Sequence, residues 1–506
     1  MSKNSGYSHI LKYTGLFGSA QVLGILFSLV RNKLVAIILG LEGMGLITLF
    51  NSTLKLMTDS SNLGISMSAV KNISEVFETG QQQRVNHVVQ IVRVWSLLAA
   101  LFGMILCMVM SPLLSRFAFS TSQYTWHFVA LSPVVAITTI VGGETALLKG
   151  VRQLRQLAMV SVFNVVAALL VSIPLYWLFG LSGIIPSIVL LAVVQAVFIM
   201  RRSYRLYPLQ LSFTRQLMRQ GYSMVMLGIA FVVTGIISSS AEFIIRSYLN
   251  HSASISDVGL YSAGFTLVIS YAGMVFMAME TDYFPRLSAV CNPHQHTSSA
   301  VSDMRLTVAQ NHAVNSQVEV TILLIAPLTV LCIVALPFLL PLLYSSEFLP
   351  ALGMMQVMVL SLYCRALALP IEYLSLAHGD SRSFLFIETI YNVMLVTFTI
   401  LAHQYFGLFG AGVALTLSFF ADLLIAIAYM WRKYHYRLSA IAIKYISIQL
   451  PIGLLAYATT LLLHGAVYWL SGIVLIAVST IISLRLLKQM TDFSLASLLN
   501  RKEQSE

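Results

Sequence analysis

Apolar residues run along this chain in blocks about as long as a bilayer core is thick, broken by short polar intervals. A helix that crosses a bilayer needs about 20 mostly apolar residues. Fourteen stretches qualify, at roughly 12–39, 45–70, 86–110, 125–148, 157–179, 182–201, 218–246, 258–284, 317–343, 351–376, 384–405, 410–431, 445–464 and 466–487. The second, seventh and tenth are the least apolar. The pattern predicts an all-α membrane protein with 14 transmembrane helices.

Composition agrees. Hydrophobic residues make up 58% of the 506 and charged residues 10%, against about 45–50% and about 25% in soluble domains. So few charges cannot cover a soluble protein of this length, and no polar stretch is long enough for a sizeable soluble enzyme domain. The N-terminus lacks a short apolar core followed by a small-residue cleavage site, so no removable signal peptide is expected.

The net charge of +11 acquires a meaning once the spans are drawn. Lys and Arg near span ends are retained in the cytoplasm. With an inside N-terminus and fourteen crossings, most of the 30 basic residues fall on cytoplasmic segments, among them Lys71, Arg93, Lys149, Arg152, Arg201, Arg202, Arg205, Arg432 and Lys433. The outside receives Arg116 and Arg246. The expected topology is N-in/C-in, and the basic excess calls for no nucleic-acid partner, only attraction to anionic membrane lipid.

An internal repeat organises the spans. Leu147-Leu148-Lys149-Gly150-Val151-Arg152, a helix with Asn164, Phe179-Gly180-Leu181-Ser182-Gly183 and Met200-Arg201-Arg202-Ser203-Tyr204 recur in order. Their echoes are Leu376-Ala377-His378-Gly379-Asp380-Ser381-Arg382, a helix with Asn392, Phe406-Gly407-Leu408-Phe409-Gly410 and Met430-Trp431-Arg432-Lys433-Tyr434. Gly45-Leu46 is echoed more faintly by Gly259-Leu260. The shift is six spans, an even number, so orientation is kept and the repeats are parallel. Residues 1–209 are expected to form one six-helix lobe and 210–437 the other, around a central cavity. Residues 438–506 add the last two helices and a short tail.

Ionisable residues within spans are costly and mark pathways unless otherwise explained. Lys55 precedes Asp59 by four residues and Glu242 precedes Arg246 by four, so each couple is expected to neutralise itself along its helix. Arg31 and Arg365 have no such partner one turn away. Arg31, Lys55, Arg246 and Arg365 are the candidate substrate-binding cations, since a cationic lumen attracts phosphate or carboxylate. Asp59, Glu144, Glu242 and Glu372 are the candidate ion-coupling acids. Pro370, following Arg365, is expected to kink its helix.

Little else suggests chemistry. His294 and His296 lie in a polar loop without further ligands, the four cysteines follow no metal or disulfide spacing, and no phosphate-cradling Gly-x-x-x-x-Gly-Lys run occurs. No catalytic residue, metal or cofactor is expected, and the chain is read as a transporter, not an enzyme.

Arg31-Asn32-Lys33 followed by Leu39-Gly40-Leu41-Glu42-Gly43-Met44-Gly45-Leu46, Lys149-Gly150-Val151-Arg152, and Tyr283-Phe284-Pro285-Arg286-Leu287-Ser288 together resemble bacterial polysaccharide flippases. The chain is similar to the Wzx-type O-antigen translocases of the multidrug/oligosaccharidyl-lipid/polysaccharide exporter superfamily. The resemblance implies an alternating-access flippase in the bacterial inner membrane. It would move an undecaprenyl-pyrophosphate-linked oligosaccharide from the cytoplasmic to the periplasmic leaflet, driven by an ion gradient, beside other polysaccharide-assembly membrane proteins. Arg31 is the cation that the resemblance carries over, through its neighbouring Leu-Gly landmark. The alternatives are a cation-coupled drug antiporter of the same superfamily and a membrane glycan polymerase or ligase. The short outside segments around 111–124 and 247–257 count against the last.

Overall fold

A computed structural model describes the backbone of residues 3–78, 80–210, 214–291 and 300–491. The His294/His296 loop and the C-terminal tail lie outside the described residues. Among those described no strand forms. The helices are α1 (Lys3–Ser61), α2 (Ile65–Glu78), α3 (Gln82–Phe119), α4 (Thr125–Gly150), α5 (Leu154–Phe179), α6 (Ile184–Leu206), α7 (Arg215–Ser252), α8 (Ile255–Phe265), α9 (Ala272–Cys291), α10 (Ala300–Leu343), α11 (Leu352–Ala377), α12 (Ser381–Tyr434), α13 (Ala440–Leu462) and α14 (Gly465–Thr491). In lipid every backbone polar group must be satisfied within the protein, and the helix does this locally.

Among the described residues nine helical stretches are long and apolar enough to cross a membrane. Helices and expected spans do not correspond one to one. α12 has 54 residues, about 80 Å at 1.5 Å per residue, against a hydrocarbon core of about 30 Å. It breaks at Gly407 (φ 56°, ψ −143°), between two expected spans. α1 breaks likewise at Gly40 (φ 63°, ψ −161°). The expected span at 45–70 is divided between α1 and α2, and that at 258–284 runs from α8 into α9 through a π-helical stretch at Thr266–Tyr271.

The two Gly-Leu-x-Gly stretches share a backbone geometry. Gly180 has φ 55° and ψ −134°, nearly the angles of its counterpart Gly407. Such angles belong to a region that only glycine occupies readily. A Cβ on Gly183 would lie 2.4 Å from the Leu175 carbonyl, and one on Gly410 would lie 2.0 Å from the Ala402 carbonyl. Each Gly-Leu-x-Gly stretch therefore needs both of its glycines, the first for its backbone angles and the second for its close main-chain contact.

By packing the chain forms two compact units, Met1–Ser262 with Leu342–Phe348, and Ala263–Pro341 with Leu349–Glu506. In the first, α3 packs along α4, α1 along α5, and α7 against α1, α2 and α3. Its core includes Ile65, Ile73, Val85, Leu147, Leu148 and Ile199. In the second, α11 and α12 form the main pair, with α9 and α13 on α11 and α14 on α13. Large apolar side chains also face outward, Val109, Leu170, Leu462 and Leu470 among them, as lipid contact requires.

Candidate functional site: the charged clusters

The first unit gathers charge where α1 meets α7. Lys55 Nζ donates to Glu242 Oε1 at 2.6 Å, and Arg246 Nη1 donates to Glu242 Oε2 at 3.0 Å. Arg246 Nε also reaches Ser262 Oγ at 3.4 Å. The Arg246 side chain is buried whereas that of Lys55 is 49% exposed. The expected Lys55–Asp59 couple is thus replaced by a cross-helix one, with Glu242 bridging both cations. Asp59 instead lies against Gly235 of α7, its carboxyl 3.8 Å from where a Cβ there would sit. Spacing along one helix reveals only same-helix neighbours, and Glu242 reached Lys55 from another helix.

Arg31 stands apart. Its Nε donates to Ser172 Oγ of α5 at 3.1 Å, and among the described residues no carboxylate pairs with its half-buried guanidinium. An unneutralised guanidinium in an apolar helix keeps its appetite for an anion.

Main-chain contacts flank the α1–α7 cluster. A Cβ on Gly45 would lie 2.0 Å from the Ile255 carbonyl, and one on Gly259 would lie 2.3 Å from the Leu41 carbonyl. The two glycines of the faint sequence echo therefore seat α1 and α8 on each other reciprocally, residue for residue. At the opposite end of the cluster along the chain, a Cβ on Gly64 would meet Gly228 of α7 at 2.6 Å. Small residues let helices approach this closely in membranes.

Glu144 is fully engaged. Arg93 donates Nε to Glu144 Oε1 at 2.9 Å and Nη2 to Oε2 at 3.3 Å, Ser203 Oγ donates to Glu144 Oε2, and Arg93 Nη1 donates to the Pro208 carbonyl at 2.9 Å. The Arg93 guanidinium also lies 4.7 Å from the Tyr204 ring centre. Both partners are buried. To carry an ion, Glu144 would have to surrender this fork. Sequence reasoning assigned Arg93 to the cytoplasmic edge and missed the pair, because the two residues lie on different helices.

The second unit holds the other cluster. Arg365, Glu372, Glu388, Tyr391 and Asp422 line a cavity of about 110 Å³ between α11 and α12. The Arg365 guanidinium sits 5.2 Å from the Phe419 ring centre and 5.9 Å from that of Phe276. Among the described residues, its Nε and Glu372 Oε1 are buried without hydrogen-bond partners. Glu372 and Asp422 lie together on the wall of this cavity, beside Glu388. Asn392 donates to Glu388 Oε1 at 3.0 Å. Arg365 therefore faces acids contributed by α12 and by its own helix two turns on, beyond the one-turn reach of the spacing argument. α11 runs through Pro370 from Leu352 to Ala377, and the Pro370 carbonyl accepts from the Tyr283 hydroxyl at 2.7 Å.

No protein-family model and no curated protein sequence matches the chain. Solved structures do. The lipid II flippase MurJ in an inward closed conformation superposes with a TM-score of 0.67 at 14% identity, covering 94% of this chain and 100% of that one. An inward-facing multidrug resistance MATE family transporter of the MOP superfamily gives 0.67 at 14% identity, over 81% of this chain and 94% of that one. A MOP superfamily transporter from Pyrococcus furiosus gives 0.55 at 13% identity, over 83% and 93%. Three transporters agree along most of their length with this all-helical, multi-pass chain, which has the fold of the MOP superfamily transporters.

Proposed function

We propose that the chain is a lipid-linked oligosaccharide flippase. It carries an undecaprenyl-pyrophosphate-linked repeat unit of O-antigen, capsule or exopolysaccharide from the cytoplasmic to the periplasmic leaflet of a bacterial inner membrane. Fourteen crossings, N-in/C-in, form lobes at 1–209 and 210–437 with 438–506 appended, and the lobes rock to expose the site to either side. The observation that carries this reading is Arg31, a guanidinium in an apolar helix that no carboxylate neutralises among the described residues, suited to a bidentate grip on phosphate. Lys55, half exposed, offers a second cation, with Arg246 fixed behind it on Glu242. The likeness to a lipid II flippase over that protein's full length supports a lipid-linked substrate.

Ion coupling is assigned to Glu372, with Asp422 beside it, because carboxyls crowded into one cavity with a guanidinium can take up or release a cation as charges move. Asp59 and Glu242 are the secondary coupling candidates. Arg365 is then a counter-ion as much as an anion ligand. A second reading has its own support: the Arg365 cavity holds three acids to one base, which suits the cation of a drug antiporter.

The test uses a host strain deleted for the gene, scored for lipid-linked glycan held on the cytoplasmic leaflet and for glycan at the surface. Arg31→Ala should lose tenfold or more of surface glycan and Lys55→Ala less. Full restoration by both Arg31→Ala and Arg365→Ala would end the flippase assignment. Drug efflux retained by Arg31→Ala and abolished by Asp422→Asn would establish the antiporter instead.

A further inference from the structure

Within the first unit, one face of α3 presents a ladder of polar groups to the chain that ends α6 and begins α7. Arg93 holds the Pro208 carbonyl at 2.9 Å. One turn earlier Gln90 Nε2 donates to Gln210 Oε1 at 2.7 Å. One turn earlier again His87 Nε2 meets Gln220 Oε1 at 2.8 Å. Three residues per step keep all three on one helix face.

The rungs are unequal. Arg93 is buried and every guanidinium nitrogen is engaged by Glu144, Ser203 or Pro208, so that end is a permanent anchor. The Gln90–Gln210 and His87–Gln220 contacts are exposed and trade readily with water. Beyond them α7 lies on α3 at Gly221, where a Cβ would sit 1.7 Å from Trp95 Nε1. That indole nitrogen is buried and, among the described residues, has no hydrogen-bond partner. A buried N–H without an acceptor penalises the docked arrangement, and water relieves it on separation.

We infer that the first turns of α7 are a releasable strap: they dock on the His87–Trp95 face of α3, and the docked state is held close to balance with an undocked one. Three features fit this and not a permanent packing contact. Exposed polar ties replace ion pairs, a glycine stands where any side chain would clash, and an orphaned donor is sealed beneath. Arg93 and Glu144 keep α3, α4 and the end of α6 fixed while α7 moves. The inference concerns a motion of the chain and holds whatever the substrate.

The test places nitroxide labels at Arg84→Cys and Arg219→Cys, both exposed, in full-length protein with the four native cysteines replaced. The protein sits in nanodiscs of phosphatidylethanolamine and phosphatidylglycerol, with no substrate added. Pulsed electron resonance should find a short and a long distance together. Trp95→Phe removes the orphaned donor while keeping an aromatic ring, and should raise the short-to-long ratio about fivefold or more. Gly221→Ala should lower it. A single short distance unchanged in all three proteins, or a Trp95→Phe shift toward the long distance, would overturn the strap. Because no transport is measured, this outcome is separate from the fate of the flippase reading.

Discussion

Glu144 and Glu242 show how differently two acids in one unit can be used. Glu144 serves a single buried guanidinium. Removing one member of a buried, hydrogen-bonded pair leaves the other charge stranded, at a cost of about 3–5 kcal/mol. Glu144→Gln should therefore lower the melting temperature of purified protein far more than a substitution at exposed Glu75. Glu242 serves two cations, one of them half exposed. Glu242→Gln should destabilise less, because Lys55 can turn to water, while drawing anions more strongly to the site. Binding of inorganic pyrophosphate, followed by calorimetry, should tighten in that variant and weaken in Arg31→Ala. The presence of these charges could be read from the sequence, but not their partners. Periodicity places residues on a helix face, whereas Arg93–Glu144 and Lys55–Glu242 depend on which helices become neighbours.

At the scale of elements, the corners were the most legible features. Gly-Leu-x-Gly marks the backbone breaks at Gly180 and Gly407, whose φ angles agree to within a few degrees. Gly407→Ala should cost about 1–3 kcal/mol, the usual burden of a side chain in that backbone region, seen as a lowered thermal transition with the fold retained. The opposite end of α12 is fastened by Asp380. It caps the helix by accepting from Ser383 N at 3.2 Å and also accepts from Tyr434 Oη at 2.6 Å and from Lys433 Nζ. Burial works to raise its pKa, yet the bonds from Lys433, Ser383 and Tyr434 outweigh it and hold the carboxyl well below the usual range. A depressed folded value means stability that is present above the ordinary carboxylate pKa of about 3.9 and lost as pH falls through the folded value. The gap in melting temperature between the parent and Asp380→Asn should be full at pH 7 and shrink below about pH 4. What composition could not reveal was continuity. α12 bridges two expected spans, and the span at 258–284 widens into a π-helical stretch at Thr266–Tyr271 without leaving helix, because hydropathy averages over residues that the backbone treats individually.

At the scale of the whole molecule, the even-numbered repeat and the side chosen by basic residues make one joint statement about topology. A periplasm-active reporter fused after Ser182 should be active and one fused after Arg205 inactive, and the reverse pattern would reject fourteen crossings with both termini inside. Fold class was legible because lipid demands long apolar helices. The two packing units were less so, since α7, the opening span of the second expected lobe, packs on α1, α2 and α3.

The reciprocal seat of Gly45 on Ile255 and Gly259 on Leu41 carries a consequence of its own. A contact mapped onto itself when the halves are exchanged leaves neither partner free to drift alone, as in the self-complementary face of a dimer. A methyl group added to either glycine by itself should not be tolerated, because each would strike a main-chain carbonyl of the facing helix.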